Sequence, residues 1–213
     1  MSRVTSRLKF IPPQLPALTD EPPKSGEWIH EVKHDSYRTQ LILQNGEVRA
    51  FTRKGHNWTD RYSTVTEAAA RLPCRVAILD GEVVVQDGRG VSDFEALQKA
   101  LSTGRGRLIF YGFDLLHLDG EDLRDQPLSE HRRRLSQVLS SDETSPVQFS
   151  QDYIGEGAVF FRACADHGLE GIVSKRASSR YRSGRSKTWL KTKCFTESEL
   201  TLVGICAAGA ANL

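Results

Sequence analysis

An α+β fold, with antiparallel sheets packed against helices, is what this 213-residue sequence predicts, on three observations. Short segments in which apolar and polar residues alternate, rich in Val, Ile, Thr and aromatic side chains, recur from residue 28 to residue 193. An "NG" pair at Asn45 and Gly46 joins two of them, the signature of a tight turn between antiparallel neighbours. Helical segments interrupt the strands irregularly, which argues against a parallel doubly wound sheet.

The opening "FIPPQLPALTDEPPKSG" is too broken by proline for a helix and reads as an extended arm, residues 1–26. "EWIHEVK", "YRTQLILQ" and "EVRAFTR" follow as three strands of one antiparallel meander. "DRYSTVTEAAARL" has helical composition and stops before Pro73. "RVAILDGEVVVQ" reads as two short strands around a kink at Gly81, and "SDFEALQKAL" as a helix capped by Ser92 with Glu95 completing a capping box. "LIFYGFDLLHL" is a buried strand, "PLSEHRRRLSQVL" and "GEGAVFFRACADHG" are helices, and "LEGIVSKR" and "SKTWLKTK" return to strands. The tail "ELTLVGICAAGAANL" begins as a strand and ends in small residues.

Composition narrows the class. With 38% hydrophobic and 26% charged residues the chain has an ordinary globular composition. No apolar run approaches the roughly 20 residues that span a bilayer, and "MSRVTSRLKF" lacks a secretory core, so a cytoplasmic protein with no membrane partner is expected. Cys74, Cys164, Cys194 and Cys206 form no CxxC pair and read as reduced, mostly structural thiols. His30 and His34, four apart in a strand, would sit about 13 Å from one another, too far to share an ion.

The net charge of +2 hides an uneven distribution. Between residues 171 and 193 stand Lys175, Arg176, Arg180, Arg182, Arg185, Lys187, Lys191 and Lys193, with no acidic residue among them. A concentration of one sign points to phosphate or nucleic acid. In "WIHEVKHDSYR" a strand would put Glu31, Lys33 and Asp35 on one face, by themselves an ion-paired strand surface. Further charges border apolar segments: Asp80 and Glu82 in "ILDGEVVV", Glu170 and Lys175 in "LEGIVSK", Lys191 and Lys193 in "WLKTK". Charges bordering buried strands are costly unless paired or bound to a ligand.

In order, "EVKHDSYR", "FTRKG", "LDGEVVV", "FYGFDLL", "LEGIVSKR" and "WLKTK" resemble the six motifs of the covalent nucleotidyltransferases, the superfamily of ATP-dependent DNA ligases, RNA ligases and mRNA capping enzymes. The flanking "DEPPKSGEWIHEVKHDSYR" and "YRSGRSKTWLKTKC" are most similar to the ligase domain of bacterial multifunctional end-joining DNA ligases. The resemblance implies a nucleotidyltransferase domain of ATP-grasp-like, α+β type over residues 27–196. It implies Lys33 as the nucleophile that attacks the α-phosphorus of ATP and holds AMP as a phosphoramidate, before AMP moves to a DNA 5′-phosphate and a 3′-hydroxyl seals the nick. Glu31 would read the adenine amino group, Arg38 would contact phosphate, Arg53 and Glu82 would hold the ribose, and Phe113 would stack on the base. Lys191 and Lys193 would meet the α-phosphate. Glu170, with Asp35, would bind Mg²⁺ or Mn²⁺. Arg180, Arg182, Arg185 and Lys187 would contact nicked duplex DNA, giving a nucleoid-associated protein with weak, salt-dependent affinity.

Without the motif order each residue has a plainer account: Phe113 as core, Lys191 and Lys193 as a solvated face, Asp80 and Glu82 as caps of a turn. An RNA ligase, a capping-type nucleotidyltransferase and a non-catalytic nucleotide- or DNA-binding module are the alternatives. A free lysine has a pKa near about 10.4, so fewer than roughly one in a thousand is neutral at pH 7. Self-adenylation is therefore expected to need a divalent cation and to rise with pH in the mildly alkaline range. Ser36 departs from the family pattern, which has glycine there; a left-handed backbone would cost serine around 1 kcal/mol. Residues 197–213 resemble the start of an OB-fold domain that is otherwise missing, so self-adenylation is expected to be impaired. A separate OB-fold domain and end-joining proteins are the expected protein partners.

Overall fold

The computed structural model describes residues 7–139 and 144–194. The expected tail 197–213, with Cys206, lies outside the described residues.

Two sheets form the body. The first has five strands in the order β1, β11, β10, β2, β9. Its members are β1 (Gln14–Leu18), β2 (Trp28–Val32), β9 (Asp152–Ile154), β10 (Gly171–Arg176) and β11 (Gly184–Lys193). The second runs β4, β3, β5, β6, β7, with β8 alongside β6. It is built from β3 (Tyr37–Gln44), β4 (Glu47–Thr52), β5 (Val76–Val84), β6 (Ile109–Leu118), β7 (Glu121–Asp122) and β8 (Val147–Phe149). The helices are α1 (Ser63–Ala69), α2 (Phe94–Thr103), α3 (Leu128–Val138) and α4 (Gly157–Asp166).

The α+β class holds, with two amendments to the pairing. Two pairs are parallel, β1 with β11 and β6 with β8. Nor do the first strands form one meander: β3 and β4 make the hairpin, while β2 belongs to the other sheet and pairs with β10. Alternation identifies a strand but not its partner, and here the partner lies about 140 residues downstream.

Apolar runs in the second sheet have a direct cause. Leu41, Leu43, Ala77, Leu79 and Leu115 face a core shared with α1, α2 and α3. Their neighbours Ile42, Ile78 and Leu116 point the other way, onto Ile29 and Trp189 of the first sheet and Leu128 of α3. A sheet covered on both faces needs apolar residues at successive positions. Sidedness places Phe113 and Trp189 in this second cluster, at the junction of the sheets.

The residues expected to kink around Gly81 form one nine-residue strand, with register irregularities after Ile78 and after Asp80. Gly81 serves close approach: a Cβ there would collide with the Phe110 ring and the Tyr111 carbonyl oxygen. The cap of α2 is Asp93, whose side chain accepts from the Ala96 amide at 2.8 Å, one residue beyond the expected Ser92. Ser92 instead holds the start of β3, its hydroxyl accepting from the Asp35 backbone N–H at 3.1 Å.

The described part of the N-terminal arm contributes a strand to the first sheet. Its β1 is an edge strand, where Pro16 interrupts nothing that a neighbour needs. Gln14 fixes it: its amide donates to the Tyr181 hydroxyl at 3.0 Å and its side-chain oxygen accepts from the Arg182 amide at 2.6 Å.

Candidate active site

Where the two sheets meet, they enclose a cavity of about 520 Å³. Lys33 sits on its wall because β2 ends at Val32 and the chain turns through residues 33–36 before β3 begins. The expected common strand face for Glu31, Lys33 and Asp35 is thus not formed, since the extended ladder stops before Lys33. The Lys33 amide donates to the Gly171 carbonyl at 2.9 Å, and its Nζ is ion-paired with Glu170 Oε1. The nucleophile candidate and the metal-ligand candidate, 137 residues apart, are therefore in direct contact.

Glu31 is buried, and its partner is Lys175, whose Nζ donates to Oε1 at 2.8 Å and to Oε2 at 2.9 Å. Arg132 Nη1 lies 3.5 Å from the same Oε1 and donates to the Phe113 carbonyl, while its Nη2 reaches Asp152 at 2.5 Å. Lys175 Nζ also stands 3.9 Å from the centroid of the Phe113 ring and 4.4 Å from Trp189. Burial pulls the Lys175 pKa down against the pull of Glu31. Together these groups make a buried floor of aromatic rings and mutually compensated charges.

Arg38, the expected phosphate contact, lines the cavity but is already engaged. It donates through Nε and Nη2 to the two oxygens of Asp80, at 3.0 and 2.7 Å, and Asp80 also accepts from the Tyr181 hydroxyl at 2.7 Å. Burial opposes its charge, but Asp80 outweighs this and raises the guanidinium above its usual value. A bidentate arginine bound to a buried carboxylate is a structural clamp first.

Glu82 lies directly across the ladder from Arg38 and half-buried in the cavity wall. Burial pushes its carboxyl up to about 7, against the influence of Arg38 and a hydrogen bond from Ser36. His34, stacked on Tyr111 with ring centroids 5.0 Å apart, is pulled down to about 4 by burial and by Lys33. His30 Nδ1 is bound to the Ser174 hydroxyl at 2.7 Å, and no group of three or more His, Cys, Asp or Glu able to hold a metal occurs among the described residues.

Lys191 of β11 faces the cavity, and its pKa is lowered by burial and by the neighbouring Lys33, Lys193 and Arg53, with Glu170 opposing. Lys193 shares that strand face two residues on, outside the cavity lining. Arg53, Lys54 and Arg185 complete the mouth; all three are exposed. Asp35 is exposed at the same rim.

The basic segment is less uniformly available than its count suggests. Lys175 is buried, Arg176 packs over the Trp28 ring, and Arg182 pairs with Asp125 at 2.7 Å. Arg180, Arg185 and Lys187 are exposed, as is the Arg182–Asp125 pair itself, which a competing phosphate can open at little cost. Sequence reasoning passed over Lys175, Arg132, Asp80 and Tyr181 as site residues. A signal existed for Arg132: Leu128, His131, Arg132 and Leu135 share one buried helical face.

Ser36 carries no backbone penalty. Among the described non-glycine residues only Asn45 and Asp119 have positive φ, so the conformation that would favour glycine is not adopted at Ser36.

Known proteins resemble this chain over most of its length. Residues 17–193 match the family model described as the ATP dependent DNA ligase domain. The multifunctional non-homologous end joining protein LigD of Pseudomonas aeruginosa is 42% identical over 197 residues, covering 92% of this chain and 23% of that protein. A solved structure of a mycobacterial DNA ligase D complexed with ATP and MES is 32% identical, with a TM-score of 0.72, over 85% of this chain and 59% of that one. The Chlorella virus DNA ligase-adenylate structure shares the fold, at 18% identity and a TM-score of 0.62, over 86% of this chain and 69% of that one. The chain thus spans less than a quarter of the length of its LigD relative. With five-sixths of the chain inside the family match, it belongs to the ATP-dependent DNA ligase domain family.

Proposed function

We propose that this domain performs the covalent nucleotidyl transfer of a DNA ligase, with Lys33 as the acceptor of AMP. The observation that carries this is the pairing of Lys33 with Glu170 on the wall of a cavity that has a buried, compensated floor and a cationic mouth. A floor of aromatic rings with its charges paired suits a base without net charge, and rim cations that have no ion pair among the described residues suit a triphosphate. Relatives named as a multifunctional non-homologous end joining protein and as a DNA ligase support DNA as the acceptor.

Lys33 Nζ would attack the α-phosphorus of ATP in line with the departing pyrophosphate, forming a P–N bond as the P–O bond breaks. An ammonium held by a carboxylate is not a nucleophile, so Lys33 must first lose a proton. Lys191, close to Lys33 and of lowered pKa, places positive charge where the phosphate oxygens gather theirs. AMP then passes to a DNA 5′-phosphate and is displaced by the 3′-hydroxyl. Phe113 and Glu31 on the floor, with Arg53 and Glu82 on the walls, would position base and ribose. Arg38, held by Asp80, would keep the aromatic wall in place and present its remaining donor toward phosphate. Lys193, Arg180, Arg182, Arg185 and Lys187 would extend the positive surface along the DNA.

Mg²⁺ or Mn²⁺ fits here. Among the described residues Glu170 Oε2 is buried without a hydrogen-bond partner, a spare hard oxygen next to the proposed nucleophile. Glu170, with Asp35 on the rim, would hold such an ion together with phosphate oxygens and water. Its chemical contribution is neutralisation of charge on the triphosphate. Nicked duplex DNA is the proposed substrate, and end-joining proteins or an OB-fold domain the proposed partners.

The test is incubation with α-labelled ATP or GTP and Mg²⁺ or Mn²⁺, followed by detection of label on the protein. Label from ATP, lost in Lys33→Ala and in EDTA and increasing from about pH 7 to about pH 8.5, is the expected result. Label from GTP alone would assign a capping-type enzyme. Failure both to label and to seal a pre-adenylated nick would leave a binding module and overturn the proposal.

A further inference from the structure

Ser36 stands in the cavity wall between Lys33 and Arg38, at a position whose backbone has no need of glycine. Its hydroxyl donates to Glu82 Oε2 at 2.6 Å, with the His34 carbonyl farther away at 3.2 Å. One hydroxyl proton serves one strong bond, and the charged, closer acceptor takes it. The pairing follows from register. Glu82 opposes Arg38 across the β3–β5 ladder, so a residue two positions before Arg38 is its diagonal neighbour on the same face.

Glu82 has few other restraints. Its cross-strand neighbour Arg38 gives its hydrogen bonds to Asp80 instead. Among the described residues, Ser36 is the single hydrogen-bond donor to the Glu82 carboxylate. Oε1 has no such donor, yet it is not among the buried polar atoms sealed from solvent. One oxygen is therefore pinned while the other is available to a ligand in the cavity.

We propose that Ser36 is a positioning residue that sets sugar specificity: it fixes the Glu82 carboxylate so that Oε1 accepts a ribose hydroxyl of the bound nucleotide. This rests on the function proposed above, and it adds a residue for which that function alone has no use. With Ala or Gly at position 36 the carboxylate can rotate away, and the hydroxyl of the sugar loses a pre-oriented acceptor. Thr at 36 keeps the oxygen and restores the restraint.

The experiment compares ATP, 2′-deoxy-ATP and 3′-deoxy-ATP in the labelling of Lys33, using the parent protein, Ser36→Ala, Ser36→Gly and Ser36→Thr. The expected result is a rise of about three- to tenfold in the apparent KM for ATP in the Ala and Gly variants. The apparent KM for one deoxynucleotide should not change, because it lacks the hydroxyl that Glu82 accepts. Discrimination between ATP and that analogue then shrinks by the same factor, and Ser36→Thr recovers at least half of it on a logarithmic scale. A merely structural defect would raise all three KM values together, and that outcome overturns the proposal. So does an unchanged ratio of ATP to both analogues with label still on Lys33, which leaves the ligase function standing. No label on the parent protein from any of the three and no nucleotide binding by calorimetry overturns this inference, and the function falls with it if a pre-adenylated nick is not sealed either.

Discussion

The floor of the cavity and its mouth hold comparable numbers of cations in opposite circumstances. On the floor each is matched: Lys175 by Glu31, Arg38 by Asp80, and Arg132, which backs Glu31 without lining the cavity, by Asp152 and Glu31. At the mouth Arg53, Lys54 and Arg185 are exposed and have no ion pair or side-chain hydrogen bond among the described residues. Buried charge without a partner is too expensive to keep, so pairing below is a condition of folding. Exposed charge costs almost nothing unpaired, so the mouth can hold positive field in reserve for an anion. Positive residues in one cavity thus divide into those that maintain it and those that recruit to it.

The sharpest way to break this division is at the floor. Arg38→Met should leave Asp80 buried with only the Tyr181 hydroxyl and cost about 3–5 kcal/mol, a fall in Tm on the order of 10 °C by thermal melting. A loss under about 2 °C would mean that the clamp is not structural. Lys175→Met should cost a similar amount, and the double change Lys175→Met with Glu31→Leu should recover part of it, because no unmatched carboxylate remains. A double variant no more stable than the single one would contradict pairing as the requirement.

Glu82, half-buried between floor and mouth, should behave in between. Its pKa is raised from 4.5 to about 7 by burial, so below pH 4.5 it is protonated in both folded and unfolded states and burial carries no penalty. From pH 4.5 to about 7 the unfolded chain gives up the proton first, and stability is lost as pH rises through that window. Denaturant titrations should show Glu82→Gln gaining on the parent across the window and holding a constant lead above it. A difference independent of pH would place the carboxylate in water.

The mouth should respond least in stability. Lys54→Ala and Arg185→Ala should each change unfolding free energy by no more than about 0.5 kcal/mol. Each should lower the steepness of log Kd against log salt for nicked duplex DNA, by up to about one for a residue that contacts a phosphate. Unchanged slopes in both variants would remove the mouth from DNA recruitment.

Legibility in the sequence follows the same split. Features that act through local pattern were readable: the β3–β4 hairpin from Asn45 and Gly46, α3 and α4 from their periodicity, the family from the order of its motifs. Residues defined by a distant partner were not. Lys175 is visible as a charge in an apolar strand, but nothing near it indicates that Glu31, 144 residues away, is its counter-ion. β2 was legible as a strand and misassigned in its sheet for the same reason. β1 was hidden by its prolines, which an edge position tolerates, and β8 and β9, at three residues each, are too short to show a period. Ser36 illustrates the reverse error: as a departure from a pattern it suggested strain, while the backbone shows none and the hydroxyl has a partner.

The ladders that build the first sheet also govern how the domain is made. β1 meets β11 across 170 positions and β2 meets β10 across 144, whereas β3 meets β4 through a tight turn and β5 across 32 to 46 positions. Closing loops of that size is slow, because chain entropy is lost before any contact rewards it. In a refolding time course the second sheet should therefore acquire protection first. Lys33, Glu170 and Lys191 flank these long ladders, so in that time course the proposed competence to accept a nucleotide should be the last property to appear.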